Sequence, residues 1–222
     1  MKYLLSLISL VTVLSVTGQI TKGQVSYDVI VTSDDPQSAA YVDQMKESVL
    51  ELFFVDDKIR SELYLGDFMT TTVINHKGQD STLTLVDGMM GKIATKMTLD
   101  DLSDEQRLAL SKRKIDLVDG ETKEVMGFVC KKAIITTEDE VETVVWYTDE
   151  IVPSFRYGQY LFEEIPGVPL NFSVNWGTMD LEMIAFEFKK KVKKPEQKFS
   201  MDIPKGYTHR TMEDMRKMRG GR

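Results

Sequence analysis

Polar and apolar positions alternate with a period of two along most of this chain. In VSYDVIV, Val25, Tyr27, Val29 and Val31 share one parity, and in PLNFSVNW Leu170, Phe172, Val174 and Trp176 alternate with Asn171, Ser173 and Asn175. Successive side chains of a β-strand point to opposite faces, so such a pattern predicts half-buried strands. It predicts them near 24–32, 48–55, 58–65, 68–76, 80–87, 91–98, 113–118, 127–137, 141–148, 169–176, 178–191 and 197–203. The links VDDK, HKGQD, VDGMMG and TEDE are short and polar or Gly-bearing, which predicts antiparallel hairpins. In TMDLEMIAFEFKK the apolar parity passes from Met179, Leu181 and Met183 to Ile184, Phe186 and Phe188, predicting a bulge near Ile184 and Ala185.

Three segments follow helical spacing instead. Asp34 or Asp35 caps a helix with Pro36 in its first turn and Ala39, Val42, Met45 and Val49 on one stripe. Ser103 and Gln106 form a capping box ahead of Leu108. Thr211 caps a last helix with Glu213 and Asp214 in its first turn, Arg216, Lys217 and Arg219 toward its end, and Gly220 as its stop. The expected class is α+β, a large antiparallel sheet with two or three short helices. One face of such a sheet must be covered, and so few helices cannot cover it flat. A strongly curved sheet wrapping its apolar face around the helices meets that need and leaves an apolar groove.

The first 18 residues, MKYLLSLISLVTVLSVTG, break the pattern with one lysine and then an apolar run from Leu4 to about Val16. That is the layout of a secretory signal peptide, too short for a membrane span of about 20 residues. Cleavage is expected after Gly18, with no cysteine at the junction for acylation. The expected product is a periplasmic or secreted protein without a transmembrane segment, residues 19–222 forming one domain. The formal charge of −7 excludes the clustered basic surface of a nucleic-acid binder. The one local exception, KKKVKK at Lys189–Lys194, reads as a solvated strand end.

Candidate chemistry is sparse. Cys130 is the only cysteine, and the histidines are His76 and His209. A reactive thiolate needs a neighbouring imidazole or a helix N-terminus, whereas a strand-centre cysteine beside Phe128 reads as a packed thiol. Parity alone does not say which face of that strand is inside, because Lys131 and Lys132 occupy one each. No phosphate loop, nucleophile elbow or zinc-protease motif occurs, so neither an enzyme nor a cofactor is expected. Met212, Met215 and Met218 recur every three residues near His209, a weak pattern for soft-metal binding that reads first as adaptable packing. Met69, Met89, Met90, Met97, Met179, Met183 and Met201 add flexible thioethers in or between the strands. Such side chains suit either a surface that accepts varied apolar shapes or a loosely tuned core.

One long run carries a resemblance. In KEVMGFVCKKAIITTEDEVETVVWYTDEI, Gly127, Phe128, Cys130, Lys131, Lys132 and Ala133 precede Trp146, Tyr147, Thr148 and Ile151. This hairpin resembles the hallmark of an exported bacterial domain-of-unknown-function family. IPGVPL at Ile165–Leu170 resembles the family's Gly/Pro turn, departing from the Gly-Leu-Pro-Gly-Leu-Ile form of a sister family (the GLPGLI-motif proteins). The ending IPKGYTHRTMEDMRKMRGG resembles the family's Met-rich C-terminal helix, while VDDKIRSELYLGDFMTTTVIN matches more loosely. The resemblance implies a fold similar to the lipoprotein-carrier (LolA-like) superfamily. There an unclosed antiparallel half-barrel wraps short helices around a cavity for acyl chains, and no catalytic residues carry over.

These readings give an expected lipid or other hydrophobic ligand in an apolar groove built from residues such as Phe54, Leu85, Ile93, Met97, Trp146, Phe172 and Trp176. The alternative is a structural or partner-binding cell-envelope protein whose cavity is filled by its own helices.

Overall fold

The computed structural model describes residues 18–102, 113–138, 140–158 and 160–220. The leader and the capping-box helix expected around 103–112 lie outside the described residues. The sheet holds twelve strands: β1 (Gly23–Thr32), β2 (Ser48–Val55), β3 (Lys58–Leu65), β4 (Met69–His76), β5 (Ser81–Gly88), β6 (Gly91–Thr98), β7 (Lys114–Val125), β8 (Phe128–Thr136), β9 (Glu142–Thr148), β10 (Val168–Trp176), β11 (Met179–Lys189) and β12 (Thr208–His209). Their order is β12-β6-β5-β4-β3-β2-β1-β11-β10-β9-β8-β7, antiparallel throughout except for the parallel β12–β6 pair. The two ends, β12 and β7, do not pair with each other, so the α+β domain is an unclosed half-barrel.

Alternation separates the two faces of the sheet, and burial shows which one is inside. On β1, β2, β3, β10 and β11 the inner face carries Val25, Tyr27, Leu50, Leu52, Phe54, Leu63, Leu170, Phe172, Leu181 and Met183 in one continuous buried cluster. Antiparallel registers bring Phe172 opposite Met183 and Met183 opposite Val29. Tyr27 meets Phe172 edge to face at 5.8 Å and donates its hydroxyl hydrogen to the Pro169 carbonyl at 2.8 Å. The bulge expected at Ile184–Ala185 falls at Phe186, between the pairs Ser26–Glu187 and Tyr27–Ala185. Burial therefore keeps one parity through Ala185, Phe186 turns out, half exposed, and Phe188 returns to the core.

The cover over this inner face is a strap of irregular chain, residues 151–167, linking β9 to β10. Ile151, Tyr160, Leu161 and Ile165 are almost wholly buried within the main core. Arg156 ties the strap to itself by donating to the carbonyls of Pro153 and Glu163, and Arg113 donates to Glu164 while lying over the Phe162 ring. Gly167 closes it: a Cβ there would stand 1.9 Å from the Thr148 carbonyl oxygen, so the chain passes β9 at a distance only glycine permits.

The same strap reveals the curvature. Gly158 lies against Asn75 of β4, and Phe162 lies against Arg113, next to β7. Four residues span at most about 14 Å, whereas the eight strand spacings from β4 to β7 cover about 38 Å in a flat sheet. Crossing that distance flat would need the backbone and the Asn75, Phe162 and Arg113 side chains all fully extended in one straight line, so the sheet bends around the strap.

Among the described residues, helices contribute less of the cover. Helix α1 (Pro36–Val42) buries none of its residues, although Asp35 caps it by accepting from the Ser38 amide. A single 3-10 turn at Asp43–Met45 follows and seats Met45 in the core. The helix expected to continue toward Val49 stops here, because the Ser48 hydroxyl donates to the Met45 carbonyl and the chain turns into β2. Thr211 caps the last helix, α3 (Met212–Gly220), donating from its amide to Asp214 and accepting from the Asp214 amide.

The segment expected as a strand at 197–203 folds differently. Its start is a helical turn, α2 (Pro195–Lys198), entered through a left-handed Lys194, and the rest runs as an irregular band over the outer face. Phe199 is buried, and Met201, Ile203 and Tyr207 pack on Ile74, Leu83, Leu85 and Ala94. The alternation recorded a buried side correctly, but the buried side lies flat on a sheet rather than paired at its edge.

Candidate functional site

Burial reverses sides at β4, β5 and β6. On these strands the fully buried row is the outer one, under the C-terminal band: Thr72, Ile74, Leu83, Leu85 and Ala94. The band is held by a clasp on Glu62. That carboxylate accepts from Arg60, from the Tyr64 hydroxyl and from Lys198 at 2.9 Å, and Lys198 also lies 3.9 Å from the centre of the Phe53 ring. Burial alone would push the Glu62 carboxyl up; the Tyr64 hydroxyl and the two cations outweigh it, so the group sits below its ordinary range. His76 donates from Nε2 to the Phe199 carbonyl at 2.7 Å, which fixes the neutral ring's proton on that nitrogen and gives the imidazole a structural task.

The inner rows of the same strands are left half open. Register places Thr71 beside Val86 and Ile93, then Val73 beside Thr84 and Thr95, and Thr82 beside Met97. Asn75 completes that last row, accepting from the Thr82 hydroxyl at 2.5 Å. Apart from Ile93 and Asn75, every member of these three rows is intermediate in exposure. They form the floor of a trough about three strands wide, built from β-branched residues and one methionine. At its far end a cavity of about 250 Å³ opens between Asn75, Thr82, Met97 and Leu102 on one side and the strap residues Phe155 and Tyr157 on the other. The Phe155 and Tyr157 rings stack, 5.9 Å apart and 12° from parallel, as one aromatic wall.

The seven residues expected to share a groove do not converge. Ile93 and Met97 belong to the trough floor and to its end cavity, respectively. Phe54 and Phe172 are sealed in the main core, and Leu85 is buried in the outer cluster. Trp176 is partly exposed at the end of β10. Trp146 is half buried on the outer face, where Lys123 lies over its ring and donates to Asn171 at 2.6 Å. It borders a shallow hollow of about 680 Å³ whose outward rim is polar: Asn171, Ser173, Asn175, Asp180 and Glu182. The sequence reading missed Asn75, Thr82, Phe155 and Tyr157. The first two lie in or beside a turn signal and the others in a stretch without alternation, so only register and the strap's path bring them together.

The candidate chemical groups find packing roles. Cys130 is fully buried, and burial pushes its thiol up to about 11 against the opposing pull of Lys123, far from a ready thiolate. The parity left open around it resolves into a switch: Cys130 is buried first, then Ala133 and Ile135. Of the methionine–histidine group, Met212 and Met215 are half buried on α3, His209 is exposed on β12, and the Met218 side chain lies outside the described residues. Among the described residues no cluster of three His, Cys, Asp or Glu side chains is gathered, and no helix is long and apolar enough to cross a membrane.

Comparison with known proteins gives no matching family model and no matching curated protein. Among solved structures, the chain is similar to the lipoprotein LppX of Mycobacterium tuberculosis, at 10% identity and a TM-score of 0.31, covering 77% of this chain and 88% of the other. It is also similar to a LolA superfamily protein of Nitrosomonas europaea, at 9% identity and a TM-score of 0.26, covering 82% and 91%.

Proposed function

We propose that this is an exported binding protein, not an enzyme, and that it takes up a lipid or another elongated apolar ligand along the inner trough of β4–β6. The observation that carries the reading is the reversal of burial. These strands bury their outer row under the protein's own C-terminal band and leave the inner row of valines, threonines and Met97 half open. A sheet that already has one covered face has no structural need for an apolar second face. Each methylene transferred from water contributes about 0.8 kcal/mol, so about ten of them supply roughly 8 kcal/mol before the costs of association. The gain grows with each further methylene, so affinity should rise with acyl length without any charged anchor.

Purification from the native envelope followed by solvent extraction and mass spectrometry tests the proposal. The expected result is one acyl-bearing molecule per chain, displaced by a fluorescent acyl probe and lost in Val86→Glu. Protein that carries no lipid and does not bind the probe overturns it.

The strap favours a second reading, a structural or partner-binding envelope protein with a self-filled interior. Tyr160, Leu161, Phe162 and Ile165 occupy half of the inner face with the chain's own side chains. On that reading the extracted protein is dry and is retained by a membrane complex.

A further inference from the structure

The mouth of the trough has its own chemistry, and it narrows the class of ligand. The inference rests on the binding reading above. Asn75 is 5% exposed and lines the end cavity. Its carbonyl oxygen is occupied by the Thr82 hydroxyl, while its amide nitrogen has no hydrogen-bond acceptor among the described residues and lies under Gly158, 3.5 Å from where a Cβ would stand. Gly158 adopts φ +123, a conformation that side-chain-bearing residues avoid, so the strap crosses Asn75 without covering it by a side chain. The amide is open to the cavity, with no acceptor among the described residues, so it is free to donate to a group brought in by a ligand.

Charge limits what that acceptor can be. Among the described residues lining the cavity there is no lysine and no arginine; the acidic or basic ones are Asp80 and His76, and the His76 ring is engaged with Phe199. A carboxylate or phosphate would enter a hollow whose described lining has one anion at its lip and no cation to meet it. An unpaired charge in such a place is disfavoured, whereas a neutral ester or amide carbonyl needs one donor. Asp80 is exposed, so its attraction for a cationic head is screened by water. The hollow of about 250 Å³ lies just below the size range of whole-ligand pockets, which suits it to a head group whose chain lies along the floor.

We infer that the site selects an uncharged acyl ester or amide, with the Asn75 side-chain amide donating to the ligand carbonyl at the cavity end of the trough. Four probes with the same hydrocarbon chain test this on the full mature chain at pH 7.5: a monoacylglycerol, the free fatty acid, the alkylamine and the plain alkane. The monoacylglycerol is expected to bind at least about tenfold more tightly than the fatty acid or the amine, with the alkane weaker but measurable. Asn75→Asp replaces the donor with an anion of the same shape. It is expected to cost the ester about tenfold, leave the alkane unchanged and raise the amine's affinity. Thermal melting of the variant confirms folding, and the alkane serves as the internal control where packing has shifted. Equal or tighter binding of the fatty acid or amine by the unaltered protein overturns the inference while sparing the binding reading. So does an ester affinity indifferent to Asn75→Asp. Failure of all four probes, the alkane included, overturns both.

Discussion

The inner face of this half-barrel is two surfaces with one architecture. Over β1, β2, β10 and β11 it is aromatic and aliphatic, fully buried, and locked by the strap of residues 151–167. Over β4, β5 and β6 it is made largely of threonine, valine and methionine, half open, and walled among the described residues by Phe155, Tyr157 and Leu102. The difference follows from what covers the opposite side. At the sealed end much of the outer face is left without a cover: Ser173 and Asn175 of β10 point to solvent, as do Ile30 of β1 and Phe186 of β11. At the open end the C-terminal band buries the outer row, so the structural demand for a core is met there. Stability and ligand access are thereby assigned to different stretches of one sheet.

The largest effect that can break this division is in the sealed half. Phe172→Ala removes a ring that touches both Tyr27 and Tyr160. The strap above it is pinned and cannot collapse far, so the expected loss is about 3–5 kcal/mol in urea or guanidinium unfolding. A loss no larger than that of a trough residue would mean that the strap is not a true core. Next comes Tyr27→Phe, which leaves the Pro169 carbonyl without its buried donor. The expected cost is about 1–3 kcal/mol by the same measurement.

This division was only half legible in the sequence. The hairpins and most strand limits were, because alternation and Gly/Asp turns are local, although β7 runs on to Val125 from an expected 113–118; the register of β2–β3 and β3–β4 follows from short turns. The side each strand buries was not, since parity defines two faces without saying which is in. Leu85 and Val86 illustrate the difficulty. Adjacent and equally apolar, they point one into the outer cluster and the other onto the trough floor. The strap escaped notice for a different reason. SFRYGQYLFEEIPG has no period, and its hydrophobic residues are placed by the sheet they lie on. Asn75 could not be singled out at all: its unoccupied donor exists only because Thr82 takes the carbonyl and Gly158 passes overhead.

The clasp on the outer face sharpens the comparison through pH. Because the Glu62 carboxyl sits below its ordinary value of 4.5 in the folded chain, its contribution is complete above about that pH. The contribution is lost as pH falls through the folded value, when protonation frees Arg60 and Lys198. Stability should therefore decline toward acid more steeply in the unaltered protein than in Glu62→Gln, which has no proton to gain at that site. Urea midpoints from pH 6 down to 3 check this, and parallel curves would show that the clasp does not hold the band.

The smallest expected effect is also the most discriminating. Val86→Ala removes two methyl groups from a residue that is half open on the floor and has no strap above it among the described residues. If the trough is a surface kept for a ligand, the ligand-free protein should lose at most about 1 kcal/mol, well under the cost of the same truncation in a closed core. The cost should then grow when an acyl probe is present, because a ligand stabilises the folded chain in proportion to its affinity and the variant holds it less well. Melting curves of both proteins with and without probe give the four numbers required. A truncation that costs as much in the ligand-free protein as in the probe-bound one would place Val86 in a closed core, and the two halves of the inner face would be one surface after all.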